Sequence, residues 1–177
     1  MAKRSVAWLA LLSVCCLAPL SHAGAEEGLE YQVKAAFLLN FTKFIVWPPS
    51  AFADSNAPLR ICVLGDDPFG GALRQTVEGE VVNGRKLVAE RIRRPPEAHW
   101  CQVLFISQDE ELALGTLPET APGVLTVGEG DRFLNHGGMI ALIVADRRVR
   151  FDIDRAAAER AGLRISSRLL SVARSVR

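Results

Sequence analysis

The stretch from Tyr31 to Pro48 constrains this chain most, because it is a long apolar helix pattern that runs into a double proline. Neutral residues recur at helical spacing, which predicts a helix over residues 29–44 with one stripe facing the core. That stripe consists of Val33, Ala36, Phe37, Asn40, Phe41 and Phe44. Pro48 and Pro49 lack the backbone donor that a helix needs, so the helix ends before them.

Four further apolar residues, Leu38, Leu39, Ile45 and Trp47, fall outside that stripe and make the helix more apolar than one packed face requires. One interpretation is a core helix that is buried on several sides and closed by an anchoring Trp47. The other is a helix that keeps an apolar face for a partner, with Trp47 as the anchor, because Trp is favoured at interface centres. We carry the second as a hypothesis about partner binding.

The first 25 residues have the pattern of a cleaved secretory signal peptide. Lys3 and Arg4 precede an apolar run, and small residues suit cleavage after Ala23 or Ala25. The run is shorter than the ~20 residues that a membrane anchor needs. A lipoprotein signal at Cys15 is disfavoured, since a bulky Val precedes that cysteine. These features predict export from the cytoplasm.

Removing this segment leaves residues 26–177, a length that suits a single domain. Loss of Lys3 and Arg4 leaves 19 basic and 20 acidic residues, so the mature chain is almost neutral. Such a balance gives no reason to expect a nucleic-acid partner, and an exported protein would not meet one.

Strands and helices alternate along the mature chain. Three strand-to-helix units cover residues 59–77, 103–117 and 153–161, and residues 139–153 have the pattern of an antiparallel hairpin. Alternation of this kind predicts an α/β fold, a three-layer sandwich. We expect a largely parallel central sheet, an antiparallel edge formed by the hairpin, and helices on both faces.

Polar residues mark the starts of the predicted helices. Asp66 or Asp67 is expected to cap a helix after the first strand, and Ser107, Asp154 and Ser166 or Ser167 to cap later ones. Asn83 and Gly84 lie between apolar pairs, a spacing typical of a tight hairpin turn.

Cys62 and Cys101 are the cysteines that remain after removal of the signal peptide. An even number of cysteines in an oxidising compartment predicts one disulfide. Neither belongs to a Cys-x-x-Cys motif, so a structural bridge is favoured over a redox-active pair.

No residue pattern in the chain predicts catalysis, a metal or a cofactor. The glycines at positions 65, 70 and 71 do not form a dinucleotide or phosphate-binding motif, and a Gly-x-Ser-x-Gly elbow is absent. The mature chain contains His99 and His136, each in a loop. A lone loop histidine without a positioned partner is more often structural than catalytic, so we expect a protein that is not an enzyme.

Motifs distributed over nearly all of the mature chain resemble the YfiR family of periplasmic proteins. They are residues 33–48, the Gly-Asp-Asp-Pro-Phe-Gly turn at 65–70, Cys101 with 104–107, and the segments 124–127, 137–140, 149–154 and 161–170. Some relatives carry a second cysteine pair that this chain lacks, so any redox tuning based on two bridges is not expected here.

The resemblance implies a repressor that binds the periplasmic part of an inner-membrane diguanylate cyclase and holds down cyclic di-GMP synthesis. It also implies a homodimer and release by an OmpA-like outer-membrane lipoprotein, which favours biofilm growth. Related domains occur as sensory parts of receptors, so a small-molecule-sensing module without a cyclase partner is the alternative.

The predicted partner-binding residues come from both ends of the mature chain. From the first helix and its end they are Leu38, Leu39, Ile45 and Trp47. From the two C-terminal family motifs they are Phe151, Asp154 and Arg168.

Overall fold

The computed structural model describes residues 23–95, 100–114, 117 and 121–177. The predictions for residues 1–22 of the signal peptide and for His99 concern residues outside these ranges. The helices and strands, in chain order, are α1 (Ala23–Phe44), β1 (Ile45–Val46), β2 (Leu59–Leu64), α2 (Ala72–Val77), β3 (Val81–Val82), β4 (Arg85–Ile92), β5 (Val103–Ile106), α3 (Gln108–Leu114), β6 (Leu125–Glu129), β7 (Ile140–Ala145), β8 (Arg148–Ile153), α4 (Arg155–Arg160), β9 (Arg164–Ile165), α5 (Ser167–Val172) and β10 (Ser175–Val176).

The centre of the fold is an eight-stranded sheet in the order β10-β8-β7-β6-β5-β2-β4-β3. Its interior strands run parallel, from β4 through β2, β5 and β6 to β7. The hairpins β3–β4 and β7–β8 add antiparallel pairs, and β1 pairs with β9 in a small separate sheet. The prediction of a mixed, largely parallel α/β fold is confirmed.

Alternating residues of the sheet are buried on opposite faces. Ile61 and Val63 of β2 belong to a large apolar cluster with side chains of α1, α2, α4 and α5. Cys62 and Leu64 of the same strand belong to a second cluster, under the turn that contains Phe133. Both faces of β2 are therefore covered, which explains why nearly every residue of the strand is apolar.

The disulfide between Cys62 and Cys101 is present, with the two Cα atoms 6.0 Å apart. It joins the middle of β2 to the residues just before β5 and lies in the second apolar cluster. Parallel pairing of β2 and β5 brings the two cysteines together, although they are 39 residues apart in the chain.

The buried face of α1 differs from the predicted stripe. Its fully buried side chains include Ala35, Leu38 and Phe41, whereas Val33 and Asn40 are exposed. The stripe is displaced because the helix also buries Lys34 and Thr42, which polarity alone assigns to the surface. Thr42 satisfies its hydroxyl by donating to the carbonyl oxygen of Leu39, 2.6 Å away.

Three predicted helix caps are confirmed and one is wrong. Ser107 caps α3 by accepting a 3.2 Å hydrogen bond from the backbone amide of Glu110. Asp154 and Ser166 cap α4 and α5 by accepting hydrogen bonds from the backbone amides three residues later. The acidic turn after β2 does not cap α2, because Asp67 accepts from the amide of Phe69 and α2 begins only after Gly71. Gly71 has a φ of 100°, a left-handed conformation that suits glycine.

The β7–β8 hairpin lies at the edge of the sheet as expected, except that a short strand covers the end of β8. The last residues of the chain form β10, which pairs in parallel with Asp152 and Ile153 on the outer side of β8. The pattern of two exposed residues gives no strand signal by itself, so only the tertiary pairing defines β10.

Candidate functional site

Trp47 is buried, with 8% of its surface exposed. Its indole Nε1 donates to the carbonyl oxygen of Gln102, 3.2 Å away, and its ring belongs to the main apolar cluster. The hypothesis that Trp47 is an exposed anchor is therefore wrong, and the core interpretation is correct. The indole finds an apolar environment and a hydrogen-bond acceptor within the chain, which is what a buried Trp requires.

Leu38, Ile45 and Phe151 are also part of the core, so the expectation that they are free for a partner is wrong. The ring of Phe151 makes edge-to-face contacts with Phe41, at 5.2 Å between centroids, and with Phe37, at 5.5 Å. Because α1 packs against β8 as well as against α2 and α5, it buries more than one face. The surplus of apolar residues in α1 reflects this wide burial.

The remaining predicted partner-binding residues do not form one exposed patch. Leu39 is half-buried at the margin of the main apolar cluster. Asp154 is occupied by capping α4, through a 2.7 Å hydrogen bond from the amide of Ala157, and by an ion pair with Arg177. Arg168 is the one exposed member of the predicted set.

The C-terminus is tied to the sheet by arginines that bridge acidic residues. Arg174 donates to both carboxylate oxygens of Asp152, at 2.9 and 2.5 Å, and to Asp131 at 2.8 Å. These hydrogen bonds, first to Asp152 and then to Asp131, raise the pKa of the Arg174 guanidinium above its usual value. Arg177 donates to Asp154 and Asn135. The contacts hold β10 against β8.

A groove of 440 Å³ opens beside the hairpin, where β10 leaves the first half of β8 uncovered. We call it the edge groove, and it is lined by Ala145, Asp146, Arg148, Arg150, Val172, Ala173 and Arg174. The sequence signal for this surface is an excess of arginine, with nine Arg and four acidic residues from Asp146 onward. A run of like charges usually lies in water, so this excess by itself does not predict a groove.

A larger cleft, of 690 Å³, lies where the parallel strands β2, β5 and β6 end. The carboxyl ends of parallel strands are where open α/β sheets usually bind ligands. The acidic residues that line this cleft are Glu30, Asp66, Asp67, Asp109, Glu110, Glu129 and Asp131. In the sequence, Asp66 and Asp67 have the pattern of helix caps, and no local pattern indicates that these seven carboxylates meet.

One buried cation compensates part of this negative charge. The Lys34 ammonium forms ion pairs with Glu129 and with Glu30, and lies 4.3 Å from the centre of the Tyr31 ring. Glu129 also accepts a 2.9 Å hydrogen bond from the backbone amide of Gln108. This network connects α1 to β6 and to the start of α3. Sequence reasoning missed it, although a Lys within an apolar helix was a signal.

His136 has a partner that the sequence did not indicate. Its Nδ1 lies 2.5 Å from the Glu111 carboxylate, which is nearly buried on α3. The contact holds α3 against the turn after β6 and gives His136 a structural role. In the described ranges, no group of three or more His, Cys, Asp or Glu side chains is arranged to hold a metal ion.

The mixed, mostly parallel sheet is covered on both faces and defines an α/β domain. Residues 31–174 match the YfiR/HmsC-like family, and the chain belongs to that family. The match confirms the resemblance that the motifs carry.

The fold is also similar to the crystal structure of a conserved domain protein from Vibrio cholerae O1 biovar El Tor. The TM-score is 0.51 at 12% sequence identity, over 83% of this chain. This chain spans 60% of the length of that protein. At such low identity the similarity shows a shared fold only.

Searched over the described residues, none of the helices is long and apolar enough to cross a membrane.

Proposed function

We propose that this protein is a periplasmic regulator that binds the periplasmic part of an inner-membrane diguanylate cyclase and represses cyclic di-GMP synthesis. The observation that carries the proposal is the family match over residues 31–174. The N-terminal signal pattern supports the proposed location, since export would bring the mature chain to the periplasmic side of the cyclase.

The chemistry of the described residues supports a binding role over a catalytic one. The most reactive candidates have structural partners: His136 contacts Glu111, and Asp154 caps α4. The two cysteines are joined to each other. Regulation by binding requires a stable surface and no reactive group. In the proposed cycle the protein acts as a homodimer, and an OmpA-like outer-membrane lipoprotein releases it from the cyclase.

The test is a binding and activity measurement with purified proteins. The chain without residues 1–25 is titrated into the periplasmic part of a diguanylate cyclase from the same cells, and the affinity is measured by calorimetry. In parallel, cellular cyclic di-GMP is measured with and without the gene. We expect binding and a rise in cyclic di-GMP on deletion. No binding together with unchanged cyclic di-GMP would refute the proposal.

A small-molecule-sensing module is the second candidate, and the acidic cleft at the strand ends favours it. A cleft lined by carboxylates such as Glu30, Asp66 and Asp109 suits a cationic ligand. Thermal unfolding with spermidine or arginine tests this function. A saturable rise in the melting temperature that Asp66→Asn abolishes would support it, whereas an unchanged melting temperature would oppose it.

A further inference from the structure

The outer edge of β8 is covered over only part of its length. β10 pairs with Asp152 and Ile153, the last two residues of the strand. Within the described part of the chain, no strand pairs with residues 148–150 on the side away from β7. An uncovered sheet edge presents backbone donors and acceptors that another extended chain can use.

The backbone of Val149 points into this opening. The carbonyl oxygens of Phe151 and Ile153 accept hydrogen bonds from the amides of Arg174 and Arg177, at 2.8 and 2.9 Å, so both residues face away from β7. Residues of an antiparallel strand alternate between facing the partner strand and facing away. Val149, two residues before Phe151, therefore directs its N–H and C=O away from β7, toward the uncovered edge beside the edge groove.

The edge groove is basic along β8, whereas Asp146 at the hairpin turn contributes one negative charge to its lining. Arg148 and Arg150 line it, and neither forms an ion pair or a side-chain hydrogen bond with another described residue. Arg174 is already neutralised by Asp131 and Asp152.

An exposed aliphatic side chain forms the wall of the groove on the α5 side. Val172 has 65% of its surface exposed and lines the groove opposite the two arginines. The groove thus combines uncovered backbone groups, two unpaired cations and an apolar contact.

We propose that an extended, acidic segment of the partner protein binds in the edge groove and adds a strand to β8 alongside residues 148–150. Backbone hydrogen bonds to Val149 would supply the register, and acidic side chains would pair with Arg148 and Arg150. The inference rests on the proposed function, because the partner is the periplasmic part of the cyclase.

The backbone distinguishes this occupant from an anionic membrane surface. Lipid head groups would use the two arginines alone and leave the Val149 amide hydrogen-bonded to water. An added strand would protect that amide from solvent, because a ladder hydrogen bond closes over it.

The first experiment measures amide hydrogen exchange in the unaltered protein, alone and saturated with the periplasmic part of the cyclase. We expect exchange at Val149 to slow by about tenfold or more in the complex, as for an amide that enters a sheet. Unchanged exchange at Val149 in a complex that forms would overturn the strand-addition inference and leave the proposed function intact.

The second experiment compares two double charge reversals. Arg148→Glu with Arg150→Glu is expected to weaken cyclase binding by about tenfold or more at low salt, because like charges then meet in the groove. Arg160→Glu with Arg164→Glu is the matched control, since both arginines are exposed and neither lines the groove. Circular dichroism and thermal unfolding confirm that both variants are folded.

The possible outcomes separate the claims. The inference is supported if the groove variant binds the cyclase more weakly and the control variant does not. It is overturned if both variants bind the cyclase as tightly as the unaltered protein. The groove variant could instead keep its cyclase affinity and lose binding to phosphatidylglycerol vesicles. That result would show that the groove binds a membrane surface, and it would overturn the inference. Failure of the unaltered protein to bind the cyclase would overturn the proposed function and the inference with it.

Discussion

Lys34 of α1 forms an ion pair with Glu129 at the end of β6, and both side chains are almost completely buried. The pair joins the first helix to the carboxyl edge of the sheet across 95 residues of sequence. Burial removes both charges from water, so each depends on the other and on the hydrogen bond that Glu129 accepts from Gln108. The pair explains why α1 packs with Leu38 inward.

Removing one charge of this pair should destabilise the fold more than removing both. Lys34→Met leaves the buried carboxylate of Glu129 without its cation, and we expect a loss of about 3–5 kcal/mol in the free energy of unfolding. The double variant with Glu129→Gln should cost less than the sum of the two single variants. Urea denaturation of the three variants measures the coupling. Strictly additive losses would contradict the paired arrangement.

Trp47→Ala should act on stability and not on partner affinity. The indole fills the core and donates to Gln102, so we expect a loss of about 3–5 kcal/mol and a lower melting temperature. Trp100→Ala is the control, because Trp100 is 47% exposed and stacks on Arg60 at the surface. Both variants are measured by thermal unfolding. A stable Trp47→Ala protein with weakened cyclase binding would restore the interface hypothesis.

Loss of the disulfide should lower stability without removing an active group. Cys62→Ser opens a covalent loop between β2 and the start of β5, and we expect a loss of about 2–5 kcal/mol. Mass spectrometry of the unreduced exported protein should show the Cys62–Cys101 cross-linked peptide. Two free thiols in the exported protein, or equal stability of oxidised and reduced forms, would contradict this expectation.

A methyl group at Gly128 should disrupt the packing of Phe133. A Cβ built at Gly128 would lie 2.2 Å from the Phe133 ring, which is fully buried. We expect Gly128→Ala to cost about 1–3 kcal/mol by overpacking, measured by urea denaturation.

Gly28→Ala is the matched control for that change, because a Cβ at this helical position meets no neighbouring atom. It should stabilise the protein by about 0.5–1 kcal/mol through the higher helix propensity of Ala. Destabilisation of the same size at both positions would show that the cost does not arise from the ring of Phe133.

Local residue chemistry was sufficient to predict much of the fold. Asp154 and Ser166 cap their helices as expected, because a cap needs only its own side chain and amides three residues away. Asn83 and Gly84 both have positive φ angles and form the predicted hairpin turn between β3 and β4. Runs of apolar residues located β2, and its bounds agree with the prediction.

The candidate sites were predicted less well, because they depend on which distant residues meet. Trp47 was assigned to an interface since the sequence does not indicate that Gln102 would accept its indole proton. The acidic cleft and the edge groove each combine residues from several elements, and their parts look like ordinary solvated charges in the sequence. Whether a side chain is exposed depends on how the whole chain packs. The excess of apolar residues in and after α1 therefore could not show that any of them is exposed.

The sequence by itself determined the class of fold, the helix caps at Ser107, Asp154 and Ser166, the turn at Asn83 and the family, since these depend on residue type and short-range spacing. Only the tertiary structure decided that Lys34 is buried against Glu129 and that Trp47 lies in the core. It also decided that β10 covers just the end of β8. Long-range pairing and burial are set by the free energy of the whole packed chain, which no local pattern contains.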